Sequence, residues 1–349
     1  MHIEATAEFE PIHRRALIVA PAWIGDAILS QPLLARLRHL LPNVQLDILA
    51  PAWVAPVYER MPETGEIIHN PFAHGELALR ERWHLGRKLA GHAYECAFVL
   101  PNSFKSALIP FFAGITRRVG FTGEARYGLI NCRHHLNATE LPRMVERFAQ
   151  LAEVPGTPPP RPIPYPILIS SSEQQAAARK TLGLETDRRP VVFCPGAEYG
   201  PAKRWPPSHF AALARALAER GHDIWLLGSA KDAPVGQDIT ELAPGICRNL
   251  CGVTSLDQAI DLIAAAELTV CNDSGLMHVA AAVGKPLAAL FGSSSPAFTP
   301  PLSDRAHILS LQLKCSPCFK RTCPLNHLDC LKGLDPDQVL IHCLKLLEP

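Results

Sequence analysis

Between residues 155 and 166 the chain reads PGTPPPRPIPYP, with seven prolines in twelve residues. Each proline fixes φ and removes a backbone donor, so neither a helix nor an interior strand can run through such a stretch. It reads as a semi-rigid linker. The 349 residues are thereby cut into two pieces of ordinary domain size. The expected division is a domain over 1–154, a linker over 155–168 and a second domain over 169–349.

The same pattern appears on both sides of the linker. Before it, RALIVAP (15–21), VQLDILAP (44–51) and CAFVLP (96–101) are short apolar runs of buried-strand type, and AILSQPLLARLRHLL (27–41) carries a helical pattern. After it, PVVFCPG (190–196), DIWLLG (223–228), LTVCND (268–273) and PLAALFG (286–292) read as strands. They alternate with helical stretches at 207–221, 255–266 and 275–284. Strand, helix, strand at this pitch predicts parallel βαβ units and an α/β class with two doubly wound, Rossmann-like domains.

Open parallel sheets bind ligands beyond the C-terminal ends of their strands. The stretches standing there are PAWIGDA (21–27), PNSFKSA (101–107), PGAEYGPAKRWP (195–206), GSAKD (228–232), NDSGLMH (272–278) and GSSSP (292–296). In the fifth, Asn272, Asp273 and Ser274 are helix-capping types and capping alone would account for them. Gly275 also permits close backbone approach, and free N–H groups with the helix dipole favour an anion such as phosphate. His278, in the first turn, is either a packed core histidine or a ligand to that anion. The loop from 195 has Gly196 and Gly200 for tight backbone, and Lys203 and Arg204 for charge. Lys203 is either an exposed lysine or a diphosphate contact. The loop lacks the G-x-x-x-x-G-K-[ST] pattern of a Walker loop. Asp26 either caps the helix that follows it or serves as a general base held by rigid backbone.

Charge is balanced, 34 Lys and Arg against 33 Asp and Glu, which argues against a nucleic-acid partner with a basic face. Locally, 101–135 carries Lys105, Arg117, Arg118, Arg126 and Arg133, plus His134 and His135, against Glu124 alone. That is either a solvated face or an anion-recognising patch. The start, MHIEATAEFEPIHRR, lacks the basic-then-apolar opening of a signal peptide, and no apolar run approaches a membrane span. A soluble cytoplasmic enzyme is the expectation. Near the end, Cys315, Cys318, Cys323 and Cys330 lie in CSPCFKRTCPLNHLDC. The C-x₂-C pair suits zinc, but the later spacings match no standard finger. A structural zinc and reduced structural thiols are the two readings. The other seven cysteines are scattered, several beside strand-like runs where a thiol is usually a small buried hydrophobe.

The long stretches PAWIGDAILSQPL, LPNSFKSALIPFFAGI, GEARYGLIN, CPGAEYGPAKRWP, LLGSAKD and NDSGLMHVAAA occur in this order. Together they resemble the ADP-heptose:lipopolysaccharide heptosyltransferases, most of all the type II members, from near residue 15 to near residue 304. The resemblance implies a GT-B fold, with two Rossmann-like domains facing across a cleft, acceptor on the first and nucleotide sugar on the second. It implies an inverting transfer of heptose from ADP-L-glycero-β-D-manno-heptose to the first heptose of the lipopolysaccharide inner core, with no cofactor required. Carried over by position, the catalytic carboxylate falls on Asp26 and the diphosphate lysine on Lys203. The donor loop falls on Asp273, Ser274, Gly275 and His278, with Asp273 near the heptose hydroxyls. Gly196, Gly228 and Ser229 stand in donor-side motifs, and Lys105 and Arg126 in acceptor-side ones. The implied partners are ADP-heptose and a lipid A-core acceptor, with transient contact at the inner face of the cytoplasmic membrane. The cysteine-rich tail inherits no role from the resemblance.

Three other readings compete. A nicotinamide oxidoreductase would need the G-x-G-x-x-G fingerprint, and no G-x-G occurs. A non-catalytic nucleotide-sugar-binding protein would share the frame, and so would a heptosyltransferase with a neighbouring acceptor such as Kdo-lipid A. The sequence's D-x-D, Asp335 to Asp337, reads as a cap on the last helix.

Overall fold

A computed structural model describes residues 14–73 and 75–348. The opening acidic stretch, read above as no signal peptide, falls mostly outside the described residues. The chain divides into two compact units, residues up to Pro164 and from Tyr165 onward. That boundary lies inside the proline-rich segment, and no helix or strand runs between Gln150 and Ser172.

The first unit is built on β1 (Arg15–Val19), β2 (Gln45–Ala50), β3 (Ile67–His69), β4 (Cys96–Val99), β5 (Arg117–Phe121) and β6 (Cys132–His134). The second uses β7 (Arg189–Cys194), β8 (His222–Leu226), β9 (Cys247–Asn249), β10 (Leu268–Asn272), β11 (Leu287–Leu290) and β12 (Ala306–Leu309). All pairings are parallel. The strand orders are β3-β2-β1-β4-β5-β6 and β12-β11-β10-β7-β8-β9. Numbered within its own unit, the second sheet is also 3-2-1-4-5-6, the Rossmann order, which reverses between its first and fourth strands.

The central strands are apolar on both faces because helices cover both faces. In the second unit Val191, Phe193, Ile224, Leu226, Val270 and Leu290 pack with Trp205, Phe210, Leu213, Leu217 and Val339 in one buried cluster. Leu17, Val19, Leu49, Ala97 and Val99 do the same with Ile109, Ile115 and Ile130 in the first. Burial of this kind stabilises by roughly 25 cal/mol per Å² of apolar surface removed from water.

The pattern over 27–41 predicts one helix, but the structure holds two, Ile24–Leu29 and Gln31–Leu40. Pro32 explains the break. It has no N–H to give to Ile28, and its ring would collide with that carbonyl. Ser30 sits at the joint, and its hydroxyl donates to the Ala27 carbonyl at 2.7 Å. The first helix therefore begins three residues before the expected start and carries Asp26 in its first turn.

Candidate functional site

In the second unit the order reversal lies between β7 and β10, where Cys194 pairs with Cys271. Just past them the two strand ends are tied by one buried amide. Asn272 Nδ2 donates to the Pro195 carbonyl at 2.7 Å, and its Oδ1 accepts from the Trp205 amide at 3.1 Å. Trp205 is anchored in turn by its indole N–H to Leu334 O at 2.9 Å. The loop from Pro195 to Trp205 is thus pinned at both ends to β10.

Lys203 and Asp273 meet over this reversal point. Lys203 Nζ lies 2.5 Å from the Asp273 carboxylate, with both side chains largely buried. The ammonium also lies 5.3 Å from the Tyr199 ring centroid. His278 is buried beside the pair, and its pKa is pushed down to about 4, first by burial and then by Lys203 against an opposing pull from Asp273. The imidazole is neutral at physiological pH.

The helix Gly275–Ala282 starts here. Ser274 occupies the N-cap position but makes no side-chain cap bond, and Asp273 is engaged with Lys203. Side-chain capping therefore does not account for this polar cluster, and the first-turn amides have no side-chain capping oxygen.

Gly196 and Gly228 have a packing reason. A Cβ on Gly196 would lie 2.2 Å from Asp232 Cγ, and one on Gly228 would lie 2.9 Å from Asp232 Cβ. The Asp232 carboxylate fills that space and accepts from Ser229 N at 3.0 Å and Ser229 Oγ at 2.7 Å. Ser229 is thus turned to the turn's own carboxylate. Arg204 approaches Asp232 at 3.7 Å.

In the first unit, Asp26 stands just beyond β1. Its carboxylate makes no hydrogen bond or ion pair among the described residues, and the N-cap Trp23 makes no side-chain cap bond either. Loss of hydration raises its pKa to about 6. Its charge reaches Tyr58, whose hydroxyl lies 3.1 Å from Ser30 Oγ. Lys105 lies in the turn Phe104–Ala107 after β4, half-buried.

Arg126 stands elsewhere than an outward patch would put it. It is 1% exposed. It donates to Pro101 O at 2.6 Å, Asn102 Oδ1 at 2.9 Å and Phe121 O at 2.5 Å, stitching the ends of β4 and β5. Arg118 likewise donates to the Leu129 and Ile115 carbonyls, and His134 is fully buried. The basic stretch 101–135 therefore keeps part of its charge inside the unit.

Asp335 caps the last helix, accepting from the Asp337 amide at 2.8 Å. All eleven cysteines are free, and among the described residues no group of three or more His, Cys, Asp or Glu is arranged to hold a metal ion. Two residues with clear structural roles were not given them by sequence reasoning: Asn272 as the double tie, and Asp232 as the plug between two glycines. The signal for Asp232 was its place four residues after Gly228 in GSAKD.

Two parallel sheets with reversed-order strands, each carrying polar groups past its C-terminal edge, make up the two-domain GT-B architecture of the heptosyltransferases. The model of glycosyltransferase family 9 (heptosyltransferase) matches residues 82–329, and the chain belongs to this family. It is 47% identical to lipopolysaccharide heptosyltransferase 2 of Escherichia coli K12 over 306 residues, 85% of this chain and 88% of the relative. It is 46% identical to lipooligosaccharide heptosyltransferase 2 of Haemophilus influenzae over 306 residues, 84% of this chain and 88% of the relative. The structure of E. coli ADP-heptose lipopolysaccharide heptosyltransferase II matches with a TM-score of 0.87 and 42% identity, covering 95% of this chain and 98% of that one.

Proposed function

We propose that this glycosyltransferase moves L-glycero-D-manno-heptose from ADP-heptose to the first heptose of the lipopolysaccharide inner core. The observation that carries the reading is the Lys203–Asp273 pair at the mouth of an uncapped helix, at the reversal point of the second sheet. Identity of 46–47% over most of both chains to relatives named heptosyltransferase 2 supports the choice of acceptor.

The roles follow from the groups present. Donor binding brings a diphosphate to the helix end, where Lys203 exchanges part of its bond to Asp273 for phosphate oxygens. The first-turn amides of Gly275–Ala282 hold the charge that grows on the leaving ADP. Asp273, freed in part, accepts hydroxyl donors from the heptose. Neutral His278 stands beside it as a hydrogen-bonding partner, while Gly196, Gly228 and Ser229 shape the donor pocket around Asp232. On the first unit, Asp26 takes the proton from the acceptor hydroxyl as its oxygen attacks the anomeric carbon and ADP departs. A carboxylate raised to about 6 is still ionised at neutral pH and is a stronger base than an ordinary aspartate. Lys105 and the Arg126-stitched loop border the acceptor's approach.

The decisive assay offers ADP-heptose with defined core acceptors truncated before and after the first heptose. Extension of the acceptor that already carries one heptose is expected. Extension of Kdo-lipid A alone would reassign the acceptor, and donor binding with no transfer to either would leave a binding protein.

The acceptor's lipid anchor implies a brief stay at an anionic membrane surface. No described helix is long and apolar enough to cross a membrane. With Arg126 buried and Arg118 bonded to backbone carbonyls, the charge left in this stretch is the exposed Arg133 with the half-buried Lys105 and Arg117. Weak, salt-sensitive sedimentation with anionic vesicles is expected, and binding indifferent to salt would remove the electrostatic account.

A further inference from the structure

The tail of the chain crosses two of the loops at the end of the second sheet. Phe319 N donates to Ser293 O at 2.7 Å, and Ser316 Oγ donates to Gly292 O. On the other side, Tyr199 Oη donates to Phe319 O at 2.8 Å and Ala202 N donates to Arg321 O at 3.0 Å. Gly200, at φ +152°, lets the chains touch, since a Cβ there would lie 2.5 Å from Arg321 O. Residues 316–321 therefore bridge the loops that follow β11 and β7. The backbone of Arg321 is fixed against the segment that leads into Lys203.

The cations at this edge of the sheet differ in their partners. Lys203 lies 2.5 Å from Asp273, Arg204 lies 3.7 Å from Asp232 and Lys231 lies 2.5 Å from Glu198. Each of the three already has an acid. Arg321 is exposed, and its guanidinium makes no hydrogen bond or ion pair among the described residues. From 314 to 328 the tail carries Lys314, Lys320 and Arg321 and no acid. What the Arg321 guanidinium does meet is the Tyr199 ring, 5.3 Å from its centroid. The Lys203 ammonium lies 5.3 Å from the same centroid. The two positive charges are thus no farther apart than twice that distance. The ring's electron-rich face attracts both and sets their spacing.

A diphosphate carries anionic oxygens on two adjacent phosphorus atoms, so it can meet two separated cations at once. Lys203 and Asp273 together sum to zero charge, and His278 is neutral. Lys203 alone would leave most of the ligand's negative charge unanswered. An arginine suits the remainder, because its planar fork of N–H donors matches phosphate oxygens.

We infer that Arg321 is a second cation of the donor diphosphate site, and that Tyr199 is the positioning residue that seats it beside Lys203. This rests on the donor site proposed above and adds to it a residue from the tail, to which the family resemblance gave no role. The guanidinium donates to phosphate oxygens while Lys203 and the first-turn amides of Gly275–Ala282 hold the others. Its charge, undiluted by an acid, is also available to the charge that grows on the departing ADP.

Calorimetry of the full-length protein with ADP and with adenosine tests the assignment. Arg321→Gln should weaken ADP binding about tenfold, the scale of one charge-assisted hydrogen bond. Adenosine has no phosphate, and its affinity should change by less than about twofold. Lys320→Gln removes the same charge one residue away, without the ring contact, and should leave ADP affinity within about twofold. Tyr199→Leu should weaken ADP at least as much as Arg321→Gln, and adding Arg321→Gln to it should cost less than about threefold more, because the two act as a unit. Arg321→Gln keeps the backbone bond to Ala202, so its thermal midpoint should stay within about 2 °C of the wild type. Equal ADP affinity in Arg321→Gln and wild type would overturn the inference. So would an equal loss in Lys320→Gln, or a loss for adenosine as large as for ADP. If ADP failed to bind the wild-type protein, the donor site itself would fall, and the inference with it.

Discussion

The two sheets share one strand order, yet their C-terminal edges are furnished in opposite ways. Past β1 a carboxylate stands with no partner among the described residues, and its pKa is raised to about 6 by lost hydration. Past β7 and β10 the main charged and amide side chains are paired: Lys203 with Asp273, Asn272 with two backbone groups, Asp232 with Ser229. A group that must accept a proton gains from being left alone, because lost hydration makes it more basic. A site that must receive a diphosphate gains from a cation already placed, with a local anion holding it until the ligand arrives. Fold topology chooses where functional groups can stand; their partners decide what they can do.

The contrast can be broken first at its bare end. Asp26→Asn removes the base while leaving donor contacts on the other unit. It should lower kcat/KM by about a hundredfold or more, the scale of general-base catalysis, with ADP binding by calorimetry unchanged. A loss of only a fewfold would mean that the unpartnered carboxylate is not the base. In the wild type, kcat/KM should fall about tenfold per pH unit below 6, because protonation consumes the base. The sign follows from the raised pKa: activity is present above it and lost as pH drops through it. An acid limb that Asp26→Asn leaves in place would assign the titration to another group.

At the crowded end, Lys203→Met removes the cation and leaves the Asp273 carboxylate without its partner. ADP binding should weaken about tenfold, in keeping with the loss of a charge-assisted bond, while binding of an acceptor analogue stays the same. Unchanged ADP affinity would move the diphosphate elsewhere. The smallest effect concerns packing. Gly196→Ala drives a methyl into Asp232 and should cost about 1–3 kcal/mol in denaturant unfolding. A neutral result would mean that Asp232 can swing aside, and that the glycine is kept for the ligand instead.

Much of this was legible in the sequence, because buried parallel strands are short apolar runs and their ends are marked by glycine, hydroxyl and charge. β1, β2, β4, β7, β8, β10 and β11 can all be read from such runs. The edge strands β3, β6 and β9 span three residues each, too few to show a period. The break at Ser30 was hidden because the apolar pattern continues across Pro32. Arg126 shows a further limit. Residue type says that a guanidinium needs acceptors, but the oxygens it uses belong to residues 101, 102 and 121, and only the folded chain brings them together. The pairing of Lys203 with Asp273 spans seventy residues and was equally out of reach.

The double tie made by Asn272 has a mechanical consequence. A span clamped at Pro195 and at Trp205 behaves like a bridge deck fixed at both abutments: its middle can bow while its ends hold station. Nucleotide arrival should accordingly displace the chain most near Tyr199 and Gly200 and least at the clamps. The lysine close to the far abutment would then sweep a short arc of fixed radius, so its reach is set by one asparagine that never meets the sugar.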